Sequence, residues 1–418
     1  MEIASNGQPV PKVFSAGGAL NIKSKQIEIS GALSAPFGQV NLTGDDVHLA
    51  KSALVNVSGD NQLIPFGSII GNDLDWLYSL SPLANTTLID NTPLKQVNIK
   101  AERILLDEGS RINLAGGGDL LGYQFAPGPT GSKDVLAISS PTEGFALLPA
   151  GNFVAYDSAL QGQDGIATGT RLTLSNNPLL PAGDYYLLPS RYALLPGAYW
   201  VKPTGKLQAP GSSFTQPDGG ITLTGQLGKA HTPIHSADWQ GFTFYKSRYD
   251  GTTAEALAPN GMANYKLRQS DSFFSQREAT ANLPHAADAG SLVLDAQKAL
   301  RLTSGINGQV RTGELGARVD ILGQDIHLVD KTRATDTGLS LLAEDLSKLQ
   351  VGSTVIGGER DDDKPGEIRV SAKTVTVEEN AKVTMPAVVL VAEKQVRVKT
   401  GAEVTATAAA ANGQGAAI

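Results

Sequence analysis

Residues 373–406 read KTVTVEENAKVTMPAVVLVAEKQVRVKTGAEVTA, and this stretch decides the fold. Apolar and polar residues alternate in short runs, which is the pattern of a β-strand with one buried face. Val375 recurs as Val396, and Val383 recurs as Val404, so the pattern returns after 21 residues. A fixed repeat of this length is typical of a protein built from stacked coils.

The same alternation occurs in other parts of the chain. It occupies residues 20–57, returns at residues 97–114, and resumes at Leu292. Turns rich in Gly, Asn, Asp and Ser separate the runs. Three short strands in each repeat predict an all-β fold, a right-handed parallel β-helix, which is a solenoid. An antiparallel sandwich also has short strands and frequent turns, but it does not explain three matching strands in every repeat.

Two interruptions divide the predicted solenoid into five parts. The coils are expected at 1–57, 97–118 and 291–418. We interpret 58–96 as a short insertion loop and 119–290 as an inserted, aromatic-rich, mainly-β subdomain outside the helix. Between 331 and 366 the pattern loosens, and Leu339–Leu349 predicts a short helix on the outside.

The large interruption has a repeat of its own, an aromatic residue followed by x-Leu-Leu-Pro. It occurs at 145–149, 185–189 and 192–196. Proline fixes φ and lacks the N–H that a sheet ladder needs. Each copy therefore predicts an edge strand that ends in a turn.

Composition limits the class of protein. The chain has 418 residues, 41% hydrophobic and 18% charged, which indicates a folded chain rather than a disordered one. A net charge of −7 without any basic stripe argues against a nucleic-acid partner. Cysteine is absent, as is common in exported bacterial surface proteins, although a cytosolic protein can lack it by chance. No apolar run is long enough to span a membrane.

The two ends of the sequence carry no recognisable signal or cap. Met1–Asn6 lacks the basic region and apolar core of a signal peptide. The strand pattern runs close to both ends, whereas a solenoid needs caps to protect its terminal edges. We therefore expect a section of a longer chain.

Motifs that carry catalysis or metal binding are weak in this sequence. It has no nucleophile elbow, no P-loop and no zinc-binding His-Glu-x-x-His. His231 and His235, near Asp238, form the only histidine cluster, but Pro233 argues against the helix that would align them. We expect no enzymatic activity, no catalytic residue, no cofactor and no metal site.

Two acidic stretches allow a calcium interpretation. Gly116-Gly117-Gly118-Asp119 is similar to one unit of a calcium-binding repeat, but it occurs once without the repeat period. Asp361–Asp363 could bind calcium or form a solvated loop.

Parallel β-helices also include enzymes that cleave polysaccharides, which gather carboxylates on one outer face. Candidate carboxylates are Asp107, Glu108, Asp320, Asp325, Asp330 and Glu378. Spacing alone does not show that any two of them are neighbours.

Aromatic residues in the two interruptions are candidates for contact with a partner, since Trp and Tyr are favoured at interfaces. The candidates are Trp200, Tyr199, Trp239, Phe242, Phe244, Tyr245, Trp76 and Tyr78. The alternative is that these rings fill the core of a small domain.

Two stretches of the sequence resemble a known family. Residues 111–120, continuing through 128–136, and residues 187–199 resemble filamentous haemagglutinin-type exoproteins. The resemblance implies a large Gram-negative protein at the cell surface or secreted. It also implies export by a two-partner system through an outer-membrane β-barrel transporter. Such proteins act as adhesins or as filaments that deliver a contact-dependent toxin.

Three functions follow as alternatives. The chain is a section of a monomeric surface filament in adhesion or toxin delivery, with 119–290 binding a protein or glycan receptor on a target cell. It is a β-helix enzyme acting on polysaccharide, or it is a passive spacer. Neither a nucleic acid nor a membrane span is expected.

Overall fold

The computed structural model describes most of residues 1–407. The residues it leaves undescribed are 6, 8, 9, 11, 72–74, 79–86, 129–132, 138–143, 150–152, 155–165, 167, 168, 230, 231, 250–254, 258–263, 277–284, 332–337, 363, 365 and 408–418. In the described part, strands dominate and the helices are short. The prediction of an all-β protein is confirmed. No helix in this part is long and apolar enough to cross a membrane.

The described strands fall into three groups along the chain. The first group is β1 Glu2–Ile3, β2 Lys12–Val13, β3 Ala19–Lys23, β4 Gln26–Ile29, β5 Ala32–Ser34, β6 Gln39–Thr43, β7 Asp46–Leu49, β8 Leu54–Asn56, β9 Leu63–Ile70, β10 Asp75–Tyr78, β11 Thr87–Ile89, β12 Gln96–Leu106 and β13 Arg111–Asn113. The second group is β14 Asp119–Ala126, β15 Phe145–Leu147, β16 Phe153–Val154, β17 Arg171–Leu174, β18 Gly183–Tyr186, β19 Tyr199–Leu207, β20 Ser213–Thr215, β21 Ile221–Gly228, β22 Gln240–Lys246, β23 Glu255–Leu257 and β24 Asn264–Gln269. The third group is β25 Ser291–Leu302, β26 Gly305–Asn307, β27 Arg318–Leu322, β28 Asp325–Val329, β29 Leu339–Leu342, β30 Ser353–Ile356, β31 Gly358–Arg360, β32 Ile368–Val370, β33 Thr374–Val377, β34 Lys382–Met385, β35 Val388–Leu390, β36 Gln395–Val398 and β37 Glu403–Ala406. The helices are a 3₁₀ helix at Ser190–Leu194, α1 Ser270–Ser275 and α2 Ala343–Ser347.

Strands one repeat apart pair in parallel and in register. Val40 lies beside Val97, Val97 beside Leu292, and Leu292 beside Val319. Further along the chain, Val375 pairs with Val396, as the repeat of 21 residues predicts. These ladders form parallel sheets of ten, four, four and two strands.

One apolar core runs through the parallel sheets. It extends from Ile27 to Met385 and takes alternate residues of nearly every strand, because successive side chains of a strand point to opposite faces. Val40, Leu42 and Val97 are fully buried within it. The alternation read from the sequence is therefore the inward-facing set of side chains.

Asparagines join consecutive repeats at one corner. Asn307 donates from Nδ2 to Oδ1 of Asn113 at 3.0 Å, and Asn113 donates to Oδ1 of Asp60 at 3.1 Å. Oδ1 of Asn113 also accepts the backbone N–H of Ala115 at 3.3 Å. Each asparagine thus accepts a backbone N–H of its own turn and donates to a side chain of a neighbouring repeat.

The two interruptions share one sheet. Residues 58–96, predicted to be a loop, contain β9, β10 and β11. These strands continue into β14, β24 and β23 of the large interruption, in the order β11-β10-β9-β14-β24-β23. The interruptions begin after β8 and β13, which are paired neighbours. Since paired strands lie about 4.8 Å apart, segments leaving from equivalent corners emerge side by side.

The rest of the large interruption forms a closed antiparallel barrel. Its strands follow the order β15-β19-β22-β21-β17-β18, with β20 added at β21. Ala146 and Leu188 exchange backbone hydrogen bonds of 2.9 and 2.8 Å, which join the last strand region to the first. The barrel interior is apolar and includes Leu172, Leu223 and Phe242.

The prediction of a helix on the outside at Leu339–Leu349 is wrong about its position, and only part of the segment is helical. The segment begins as β29, pairs with β28, and then forms α2. Leu339, Leu341 and Leu346 are buried in the main core, so the segment lies inside rather than outside. Its leucine spacing fits both a strand and a helix, and burial against the stack decides between them.

Asn113→Ala tests the asparagine ladder. The change removes three hydrogen bonds and leaves the partly buried backbone N–H of Ala115 and the exposed amide of Asn307 without this acceptor. We expect the free energy of unfolding to fall by about 1–3 kcal/mol in a denaturant titration. Asn21→Ala is the control, because exposed Asn21 accepts one side-chain hydrogen bond, from Asn41. Equal losses in the two variants would contradict the role of the ladder.

Candidate functional site

Most of the aromatic rings predicted to contact a partner are buried. Trp76, Trp200, Tyr199, Phe242 and Phe244 are at most 8% exposed. They are inaccessible in this structure, which corrects the expected contact role. Tyr199, Phe242 and Phe244 point into the barrel core. Trp200 and Trp76 are buried in two other apolar clusters.

The remaining three aromatic candidates are partly exposed. Tyr78 stacks on Phe66 with the ring centroids 4.3 Å apart. Tyr245 donates its hydroxyl to Asp218 at 2.7 Å. Trp239 lies directly before β22, at the edge of the barrel. Only these three keep the accessibility that the predicted contact requires.

Trp76 connects the two interruptions. Its Nε1 donates to the carbonyl of Phe66 at 2.7 Å. Its ring packs against Phe273 and Phe274 of the large interruption, at centroid distances of 5.1 and 5.5 Å. The two interruptions therefore form one unit, which we call the module.

A cluster of ionisable residues lies where the module meets the parallel stack. We call this cluster the neck; its members are Lys95, Asp119, Asp271, His285, Asp288 and Glu314. Lys95 is 6% exposed. Its Nζ donates to the carbonyl of Ala286 at 2.8 Å and to the carbonyl of Asp288, and it lies 5.5 Å from the ring centre of Phe37. The ammonium group is thus enclosed by two carbonyls and an aromatic face.

The neck carboxylates hold the chain where it leaves and rejoins the stack. Oδ1 of Asp119 accepts from the backbone N–H of Leu120 at 2.7 Å and from the hydroxyl of Ser270 at 2.5 Å. Asp271 accepts the N–H of Ala287 at 3.1 Å. Asp288 accepts the N–H of Leu315 at 2.7 Å. These bonds tie the start of β14, helix α1 and the returning chain together.

Burial shifts the ionisation of the neck. It lowers the pKa of Lys95 to about 8. It raises the pKa of Asp119 to about 6, and the nearby charge of Asp271 adds to this rise. Burial also raises the pKa of Asp271, and burial together with Asp288 raises the pKa of Glu314. Burial therefore disfavours the charged form of both the lysine and the carboxyl groups.

One end of the barrel carries an open depression of about 520 Å³. Thr170, Leu227 and Gln240 line it, and each continues the inward-facing positions of its strand. Ile234 and His235 line it as well. We call these five residues the barrel mouth. Mouths of β-barrels are frequent ligand sites.

Exposed apolar side chains lie at the barrel mouth. Ile234 is 64% exposed, and Leu207, which pairs with Gln240, is 69% exposed. Arg171 braces the loop that carries Ile234, because its Nη1 donates to the carbonyl of Thr232 at 2.6 Å. The backbone N–H of Lys229 donates to the carbonyl of Ile234 at 2.9 Å. Ile234 is therefore displayed on an internally bonded loop.

The structure describes only part of the residues considered for metal binding. His231 and Asp363 lie outside the described residues. His235 belongs to the barrel mouth, and Asp362 pairs with Arg318 at 3.0 Å. Throughout the described ranges, no three His, Cys, Asp or Glu side chains are arranged to share a metal ion.

The glycine run before Asp119 has a structural role. Gly118 has a φ of 84°, and a Cβ there would lie 2.7 Å from the carbonyl of Gln62. The run lets the chain leave the stack beside the first interruption.

Carboxylates proposed for polysaccharide cleavage have separate partners. Asp107 contacts His48 at 2.8 Å, and Glu378 contacts His327 at 2.9 Å. Asp320 forms a buried pair with Arg360. Asp325 accepts from the hydroxyl of Thr374 at 2.8 Å, whereas Asp330 is exposed. Glu108 is exposed as well.

Neither the neck nor the barrel mouth was predicted as a site from the sequence. Lys95 and Asp288 are far apart in the sequence, and neither belongs to a motif. Asp119 and His235 had been noted only as metal candidates, and the lysine directly before the apolar strand at Lys95–Val97 is a further signal. The barrel mouth depends on closure of the barrel, which no local pattern reports.

Trp76→Ala tests the connection between the two interruptions. The change removes a fully buried ring and its hydrogen bond, so we expect the free energy of unfolding to fall by about 3–5 kcal/mol. Leu88→Ala, on the exposed face of β11 in the same sheet, should change it by less than about 0.5 kcal/mol. Thermal or denaturant unfolding measures both. A loss below about 1 kcal/mol for Trp76→Ala, the size of one hydrogen bond, would contradict the shared core.

Comparison of the chain with protein-family models, with curated proteins and with solved structures finds no match.

Proposed function

We propose that this chain is a section of a secreted bacterial surface filament that acts in adhesion or contact-dependent toxin delivery. In this proposal the parallel sheets wind as a right-handed parallel β-helix and form a rod. The module projects from the rod and presents the barrel mouth to a receptor on a target cell. Export through an outer-membrane β-barrel transporter belongs to the same proposal.

One observation carries the proposal. β12 pairs with β6 and β7 on one side and with β25 on the other, although residues 107–290 separate β12 from β25. Val97 meets Val40 and Leu292 in the same register. The stack thus continues across the module as if the module were absent. A scaffold that accepts a whole domain between consecutive layers is suited to hold a binding element away from a surface.

The barrel mouth is the most suitable contact surface in the module. Ile234 of the barrel mouth and Leu207, which pairs with Gln240 beside it, are the most exposed large apolar side chains in this region, and neither contributes to the barrel core. Exposed apolar side chains at an open depression are a common feature of binding sites. Gln240 and His235 supply hydrogen-bonding groups that suit a protein or glycan receptor.

The alternative enzymatic function has less support. Polysaccharide cleavage needs two carboxylates that face one substrate bond. Asp107, Asp320 and Glu378 instead engage a histidine, an arginine and a histidine of their own. A passive spacer remains the simpler alternative, and it differs from an adhesin in binding no cells.

Leu207→Ser combined with Ile234→Ser tests the receptor-binding role. Both side chains are exposed, so the fold should be unaffected while the apolar contact is lost. We expect binding of the fluorescently labelled chain to target cells to fall at least about tenfold, the effect of losing roughly 1.4 kcal/mol. Flow cytometry over a concentration series measures this.

Phe214→Ser is the matched control for that experiment. Phe214 is 47% exposed on β20 of the same barrel, away from the barrel mouth residues. It should leave cell binding unchanged. Unchanged binding by the double variant would overturn the role of the barrel mouth, and absence of binding by the unaltered chain would favour the spacer.

A further inference from the structure

The neck contains more negative than positive groups. One buried ammonium, that of Lys95, lies among the carboxylates of Asp119, Asp271, Asp288 and Glu314. The sixth member, His285, has its Nδ1 4.0 Å from Oε2 of Glu314 and is 45% exposed. In a site shielded from water, repulsion among several carboxylates is weakly screened.

The six neck residues come from five passages of the chain, since His285 and Asp288 share one. Lys95 ends the first interruption, and Asp119 begins the second. Asp271 lies in helix α1, while Asp288 lies just before β25. Glu314 belongs to the next repeat, where the N–H of Leu315 donates to the carboxylate of Asp288 and its carbonyl accepts from the N–H of Ala289. The stack also meets the module at Phe37, which packs in one cluster with Trp76 and Phe273. Loosening the neck would therefore weaken this junction, at α1 first, rather than detach the module.

We propose that the neck is an acid-tightened joint, in which protonation of its surplus carboxylates fastens the module to the parallel stack and their ionisation loosens it. The proposal goes beyond the filament function and does not depend on what the barrel mouth binds. The three carbonyl and amide contacts of Lys95 and Asp271 give the joint its geometry.

The direction of the pH effect follows from the shifts in the neck. The pKa of Asp119 is raised to about 6 in the closed neck, above its ordinary value of 3.8. A raised carboxyl pKa means that the closed neck binds protons more readily than the open neck, so closure strengthens as pH falls through 6. Burial raises the pKa values of Asp271 and Glu314 as well, which acts in the same direction. The lowered pKa of Lys95, about 8, affects only alkaline pH.

Hydrogen exchange measured by mass spectrometry on the whole chain tests the joint. The reporter amides are those of α1, because the backbone N–H of Ser270 donates to Asp119 at 3.1 Å. After correction for intrinsic exchange rates, protection at α1 should rise about tenfold between roughly pH 7.5 and pH 5, from Asp119 alone. Protection at β12 and β21 should change far less, because those strands lie outside the neck.

Asp119→Asn separates the joint from a general effect of acid. The amide keeps the Oδ1 acceptor used by Leu120 and Ser270 but does not titrate. It should remove the tenfold rise at α1, whereas Asp218→Asn, at a carboxylate bonded to Tyr245, should retain it. Glu314→Gln gives a second reading if Asp119→Asn does not fold, and it should reduce the rise. Equal protection of α1 at both pH values, or an unchanged rise in Asp119→Asn and Glu314→Gln, would overturn the proposal.

Discussion

In-register parallel pairing between successive repeats is the constraint on which the rest of the structure depends. Strands in a parallel ladder lie about 4.8 Å apart, so each repeat must return to the same place one layer further on. Val97 can pair with both Val40 and Leu292 only if the chain that follows β12 returns to a position beside β12 before β25 begins. The asparagine ladder, the shared sheet of the two interruptions and the neck are all consequences of that return.

The alternating strands could be read from the sequence because the information is local. Val375 and Val377 alternate with threonines, and Val396 and Val398 repeat them in the paired strand. Period and spacing together predict which strands are neighbours. They predict the buried residues where another strand follows, as for Val375, whereas Val396, in the last strand of its sheet, is 42% exposed. The buried set from Val40 to Val57 follows from the same alternation.

The module could not be read in the same way, because its pairings are distant. β9 meets β14 in parallel, with one repeat of the stack, β12 and β13, between them in the sequence, so 58–96 resembled a loop. Trp76 and Trp200 had the composition of contact residues, and only closure of the sheets around them decides that they are core. The neck is less visible still, since Lys95 acquires its partners from residues 286 and 288. Tertiary context, rather than local propensity, decides all three cases.

The distance between β12 and β25 also has a consequence for the order of folding. The repeats up to β13 contact neighbours within about 60 residues, whereas β25 must find β12 across the whole module. Closing so long a segment costs entropy before any new ladder bond forms. The early repeats can therefore assemble first, and the module must bring its two ends together before the later repeats acquire a template. Folding of the module thus limits the rate at which the stack is completed.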